Sequence, residues 1–171
     1  MKILRFVLMP LFRFAFKGTG RFIIFQNPDD RQAMVGQNII DQNQTEIIRG
    51  SGVNINEFSF QTVALGQSHP IILFSSRLIK EKGIYDFVKA AQILKNKHPH
   101  LRFQVAGDIY PANPNSLTRE EMQAFHDQGI IEWLGQCNNM PEIIAASTMM
   151  VLPSYYGEGV PKILLEAAAI G

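Results

Sequence analysis

From His69 onward, continuous apolar runs alternate with amphipathic stretches. Pro70-Ile71-Ile72-Leu73-Phe74-Ser75-Ser76 has the pattern of a strand buried on both faces of a parallel sheet. Gly83 to Lys97 follows, with Ile84, Phe87, Val88, Ala91 and Leu94 on one helical face. Leu101 to Ala106 predicts the next strand, ended by Gly107-Asp108. Thr118 with Glu121 three residues on has the form of a capping box at a helix start. Ile130 to Gly135 predicts a third strand, Pro141 to Ala146 a short helix, and Thr148 to Leu152 a fourth strand. Val160 then opens an apolar helix through Ala169, with Pro161 in a first turn that tolerates a missing N–H. Signals before His69 are sparser. Arg21 to Gln26 reads as a strand, Asn27 or Asp29 as a helix cap, and Glu46 to Arg49 as a short strand ending in the joint Gly50-Ser51-Gly52. Repeated βα units predict an α/β fold, a parallel sheet with helices on both faces. Ligands in such sheets sit at the carboxyl ends of the strands.

Composition narrows the function classes. With 16 basic and 15 acidic side chains in 171 residues, no overall field draws nucleic acid, and no basic and aromatic interleaving suggests RNA. The single cysteine, Cys137, excludes an internal disulfide and fits a reducing cytoplasm. His69, His98, His100 and His126 are scattered, so no metal-ligand spacing is visible. Residues 1–17 are apolar and purely basic, but Arg5 and Arg13 keep any run short of the ~20 residues that span a bilayer. Two readings of this segment stand: a helix on an anionic membrane surface at the inner face, or a piece that packs on another domain.

Two loops carry candidate chemistry. Arg77 and Lys82 lie between a strand end and a helix start, where a planar guanidinium and a mobile ammonium could reach a diphosphate. The neighbouring Lys80 and Glu81 read as a solvated, mutually paired cluster. The second loop is Gly157-Glu158-Gly159-Val160-Pro161, followed by a helix holding Glu166. A helix start there offers unpaired N–H groups to an anion. Glu166 would lie about 12 Å beyond Glu158 at roughly 1.5 Å per residue. Two such acids could hold hydroxyls at opposite ends of one ligand, or be an acidic helix start and a surface glutamate.

Six segments in order carry a resemblance. They are Phe25-Gln26-Asn27-Pro28-Asp29-Asp30, Gly50-Ser51-Gly52-Val53-Asn54, Ser76-Arg77-Leu78 with Glu81-Lys82-Gly83, Gly107-Asp108, Leu152-Pro153-Ser154, and Glu158 to Glu166. The chain resembles the carboxyl-terminal domain of family 4 glycosyltransferases, retaining enzymes of the GT-B fold. Ser154 to Pro161 is similar to bacterial enzymes that build capsule, O-antigen or lipid-linked glycans. The resemblance implies that Arg77 and Lys82 neutralise the departing diphosphate of a UDP- or GDP-linked sugar. Glu166 would hold the ribose hydroxyls, and Glu158 with the amides of Gly159 and Val160 would orient the sugar. Trp133 and Leu134 would border the base pocket, although Trp133 reads equally as core. Asp108 follows a glycine that admits a ligand, or simply makes a turn. No metal or other cofactor is implied, and the acceptor would be a saccharide, free or polyprenyl-linked.

The same resemblance divides the chain. Residues 1–20 would be the remnant of an amino-terminal domain or a membrane- or partner-facing helix, 21–66 the linker and first elements, and 67–171 an incomplete nucleotide-sugar domain. The expectation is a glycosyltransferase fragment that supplies the donor site, does not transfer sugar alone and exposes a sheet edge prone to association. Two other classes share parts of the pattern. A flavodoxin-like binding module would need a flavin loop or phosphoacceptor, and neither stands out; a membrane-associated interaction fragment would rest on residues 1–17.

Overall fold

A computed structural model describes residues 2–18, 20–62 and 68–171, with side chains from residue 8 onward. The boundary expected at 66/67 falls outside the described residues. The chain divides into two units, residues 1–51 with 158–161 and residues 52–157 with 162–171.

The first unit holds helix α1 (Lys2–Phe16), strand β1 (Ile23–Phe25), helix α2 (Pro28–Val35) and strand β2 (Thr45–Ile47). The two strands pair in parallel, Ile23 opposite Thr45 and Phe25 opposite Ile47. Between the two expected caps of α2, the structure selects Asn27: its side-chain oxygen accepts the Asp30 N–H at 2.7 Å. Pro28 opens the helix, where it forfeits no bond. Arg31 reaches from α2 to the Thr45 hydroxyl at 2.7 Å, tying helix to strand. The basic amino-terminal segment is helical through Pro10.

The second unit alternates β3 (Ile71–Ser75), α3 (Ile84–Lys97), β4 (Arg102–Ala106), α4 (Arg119–Asp127), β5 (Glu132–Gly135), α5 (Met140–Ala146), β6 (Met149–Met150) and α6 (Lys162–Ile170). The strands form one parallel sheet in the order β5-β4-β3-β6. Side chains of successive strand residues point to opposite faces, and both faces are covered. Phe74, Phe103 and Val105 pack with Ile84, Phe87, Val88, Ala91 and Met122 of α3 and α4. Leu73 and Ala106 pack on the other face with Ile144 of α5 and Ile170 of α6. Phe87 touches Phe74 and Phe103, with ring centroids 5.3 and 5.8 Å away, locking α3 over the sheet centre. The expected fold class is the one found.

Several boundaries move for local reasons. The amides of Ile130 and Ile131 both donate to the Phe125 carbonyl, closing the end of α4 rather than joining the sheet, so β5 begins at Glu132. Pro153 has no N–H to extend the ladder, and β6 pairs with β3 only around Met149 and Met150. The last helix begins at Lys162, not Val160, because a residue before proline is driven toward extended backbone.

Sheet ends are held by glycine and charge. Gly107 has φ +142°, and a Cβ there would lie 1.9 Å from the Ser76 carbonyl oxygen. Gly107→Ala is therefore expected to cost about 2 kcal/mol or more, seen as a lower urea midpoint. Arg102 of β4 forks onto Glu132 of β5 at 2.7 and 2.5 Å, and this bond holds the Glu132 carboxyl below the usual carboxylate range. The Thr118 backbone N–H does the same for Glu121 in the observed capping box. Both acids are more acidic folded than unfolded, so their stabilisation is present above the unfolded value of about 4.5 and is lost as pH falls through the folded value. Urea unfolding followed downward from pH 5 should show this decline, and a Glu121→Gln/Glu132→Gln double variant should show a shallower one.

Candidate functional site

The carboxyl ends of β3 and β4 converge on Gly107. Its N–H donates to the Gly135 carbonyl at 2.7 Å and its carbonyl accepts the Trp133 indole N–H at 2.9 Å. The ends of β4 and β5 are thus tied at one residue, and the approach of Ser76 adds the end of β3. Above them opens a cavity of about 350 Å³ whose lining includes Arg77, Gly107 and Asp108. Three of the residues expected in the site therefore meet at the edge where parallel sheets bind ligands.

Arg77 is exposed, with its guanidinium carbon 5.7 Å from the centre of the Tyr110 ring. Asp108 is already engaged: its Oδ1 accepts the Ile109 N–H at 2.8 Å and faces an Arg119 guanidinium nitrogen at 3.4 Å. Arg119 in turn lies 5.2 Å from the Trp133 ring centre. Trp133 is half-buried and secured through Gly107, whereas Leu134 is exposed.

Lys82 is buried, 5% exposed, at the end of a 3-10 turn from Lys80 to Lys82. Its ammonium sits 4.9 Å from the Tyr156 ring centre, a cation–π contact of the kind that stabilises a desolvated charge. Gly83 follows with φ +78°, and a Cβ there would come within 2.1 Å of the Pro153 carbonyl oxygen. Only glycine lets the 153–156 segment approach the start of α3 this closely.

Two expectations are corrected. Glu81 is not paired with Lys80 in a solvated cluster; its Oε1 accepts from the Asn115 side-chain amide, and its Oε2 is buried. The two motif glutamates are not separated by a single helical rise, since Glu158 precedes α6 and groups with the first unit while Glu166 belongs to the second. Glu166 is 8% exposed and meets the Lys162 ammonium at 3.3 Å. Gly159 groups with the first unit, where a Cβ would press on Gln26 at 2.9 Å, and Val160 beside it is exposed.

Residue-type reasoning missed part of the lining: Ser76, Tyr110, Gln136, Cys137 and Met140. Gln136 and Cys137 follow directly on β5, so the strand-end rule contains the signal for them. Burial pushes the Cys137 thiol up, and its Sγ lies 3.5 Å from the Gly135 carbonyl, which fits a neutral lining group rather than a nucleophile. Among the described residues, no cluster of three or more His, Cys, Asp or Glu side chains is placed to hold a metal ion.

The chain is similar to known proteins in sequence and in fold. The chain is 29% identical over 181 residues to N,N'-diacetylbacillosaminyl-diphospho-undecaprenol alpha-1,3-N-acetylgalactosaminyltransferase of Campylobacter jejuni, covering 99% of this chain and 45% of that protein. Among solved structures, sucrose-phosphate synthase of Thermosynechococcus elongatus superposes with TM-score 0.68 at 24% identity, over 95% of this chain and 42% of that one. HepE of Anabaena in complex with UDP gives TM-score 0.67 at 18% identity, over 86% and 42%. These two likenesses are of fold. The chain spans less than half the length of each of these proteins. The profile of one family, described as glycosyl transferases group 1, matches residues 56–171. That match takes in the cavity, the buried lysine and both glutamates, and the chain belongs to the group 1 glycosyl transferases.

Proposed function

We propose that this chain supplies the donor half of a retaining glycosyltransferase, binding a UDP- or GDP-linked sugar at the carboxyl edge of β3 and β4. The observation that carries the reading is the cavity bounded by Arg77, Gly107 and Asp108, with Arg77 opening the short loop that ends in buried Lys82. A diphosphate leaving group gains negative charge as its bond to the sugar breaks, and fixed cations in a partly dry site stabilise that charge most. Arg77 offers a planar fork and Lys82 a point charge to it. Trp133 and Leu134 border the base, Glu166 takes the ribose hydroxyls, and Glu158 with the Gly159 and Val160 amides orients the sugar. The two cations take the part that a metal plays elsewhere. The acceptor is a saccharide, free or polyprenyl-linked, and the process is polysaccharide or glycan assembly in the cytoplasm.

A peripheral membrane contact accompanies this reading. Leu11 and Phe14 of α1 are 57% and 81% exposed, and the segment to Lys17 carries no acid. Among the described residues no helix is long and apolar enough to cross a membrane. An exposed apolar face with basic flanks suits the headgroup boundary of an anionic leaflet.

Calorimetric titration with UDP, GDP and their sugars tests the donor site. One nucleotide should bind preferentially, and Arg77→Ala or Lys82→Ala should weaken it by about 10- to 100-fold, the worth of one charged hydrogen bond. Far-UV circular dichroism should leave the fold unchanged; equal affinity in folded variants would refute the assignment. For the membrane contact, sedimentation with vesicles containing anionic lipid should show binding that fades with salt and is lost in Phe14→Glu.

A further inference from the structure

The loop from Arg77 to Lys82 lies between two other segments of the second unit. On one side Tyr155 donates its N–H to the Glu81 carbonyl at 3.0 Å, and the Ser154 hydroxyl lies 3.4 Å from the same oxygen. On the other side runs the connection from β4 to α4. The Leu78 N–H donates to the Asp108 carbonyl at 3.2 Å, Lys80 N–H to Asn115 at 2.9 Å, and Leu117 N–H to Leu78 at 2.9 Å. Ile79 and Ser116 form an isolated antiparallel bridge. The Ser116 hydroxyl accepts the Tyr110 backbone N–H at 2.7 Å, holding the backbone of the residue whose ring Arg77 meets.

One side-chain bond closes this connection. The Asn115 amide donates to Glu81 Oε1, and Glu81 Oε2 is buried without a hydrogen-bond partner among the described residues. A carboxylate with one oxygen already unserved depends heavily on the single bond to the other. Asn115 is itself held in shape by its own N–H, which donates to the Asn113 side-chain oxygen at 2.8 Å. A carboxylate in its place would face Glu81 with like charge.

We propose that Asn115 is a positioning residue for the cationic loop: by donating to Glu81 it fixes residues 77–82, and with them Arg77 and Lys82. The proposal rests on the donor-site reading for its consequence, since two cations serve a diphosphate only when held in register before it arrives. Its mechanical content stands apart from any ligand.

The test uses the full 171-residue chain with Asn115→Ala and Asn115→Asp. Amide hydrogen exchange is read at residues 76–83 and in the middle of α3, and UDP and GDP are titrated by calorimetry. Asn115→Ala should speed exchange of the loop amides by about tenfold while the middle of α3 keeps its protection. Asn115→Asp should do the same at pH 8. Near pH 5 a proton shared by the two facing carboxylates should return loop exchange to within about twofold of wild type at that pH. Loop exchange that is unchanged in both variants, or an Asn115→Asp effect that ignores pH, overturns the proposal. Where wild type binds a nucleotide, the loosened variants should bind it about tenfold more weakly, and unchanged affinity would remove the positioning role. Should the loop loosen as described while wild type binds no nucleotide, the Asn115 contact is upheld and the donor-site reading is what fails.

Discussion

The second unit depends on one close approach of backbone to backbone, that of Gly107 to the Ser76 carbonyl. Two parallel strands ordinarily diverge into their loops at their carboxyl ends, each turning toward its own helix. Here the Ser76 N–H still donates to Ala106 at 3.2 Å, and Leu78 donates to Asp108 beyond it, so the pairing carries on past the strands. The third strand end is drawn in by the Trp133 indole and the Gly135 carbonyl. A side chain at 107 would part these strands and open the floor of the cavity. The glycine is therefore required by sterics before any ligand is considered, although the same lack of a Cβ also leaves room for one.

A second constraint is electrostatic. A buried ammonium is costly unless its lost hydration is replaced. Around Lys82 the replacement includes the face of Tyr156 and a tightly apposed 153–156 segment, admitted by Gly83. Glu81, next in sequence, contributes a negative charge to the same loop, but Asn115 binds its carboxylate. The loop thus keeps both cations without an internal ion pair between neighbours 80 and 81, the pairing that residue type alone suggests. Local charge order along a chain says little about partners once a tight turn sends adjacent side chains in different directions.

The parallel α/β class, the helix faces and the capping box were all legible in advance, because each follows from short-range periodicity or from a cap within four residues. Leu73 and Phe74 show why the continuous apolar run was informative: adjacent residues enter opposite cores, so neither face could be polar. The strand-end rule brought Arg77, Gly107 and Asp108 to one edge. What could not be read was set by contacts distant in sequence. Asn115 meets Glu81 across 34 positions, and Tyr156 meets Lys82 across 74. No pattern in either segment announces its partner. The start of the last helix was misread for a nearer reason: Pro161 was credited as part of it, whereas a residue before proline is disfavoured in helical backbone, and the helix opens only at Lys162.

The Gly157 to Glu166 motif joins residues that fold with different neighbours. Gly157 and Lys162 belong to the second unit, while residues 158–161 between them group with the first. Gly159 is confined by Gln26, immediately after β1, so the small size of residue 159 is demanded by packing within the first unit. Glu166 is confined within the second, by burial and by Lys162 one turn earlier. A contiguous motif therefore serves two packing environments. This explains why Gly159 and the second glutamate are constrained for separate physical reasons. On the proposed reading, nucleotide recognition by Glu166 and sugar orientation by Glu158 would then be separable functions. Substitution at one should alter affinity for the nucleotide, and at the other the preference among sugars on the same nucleotide.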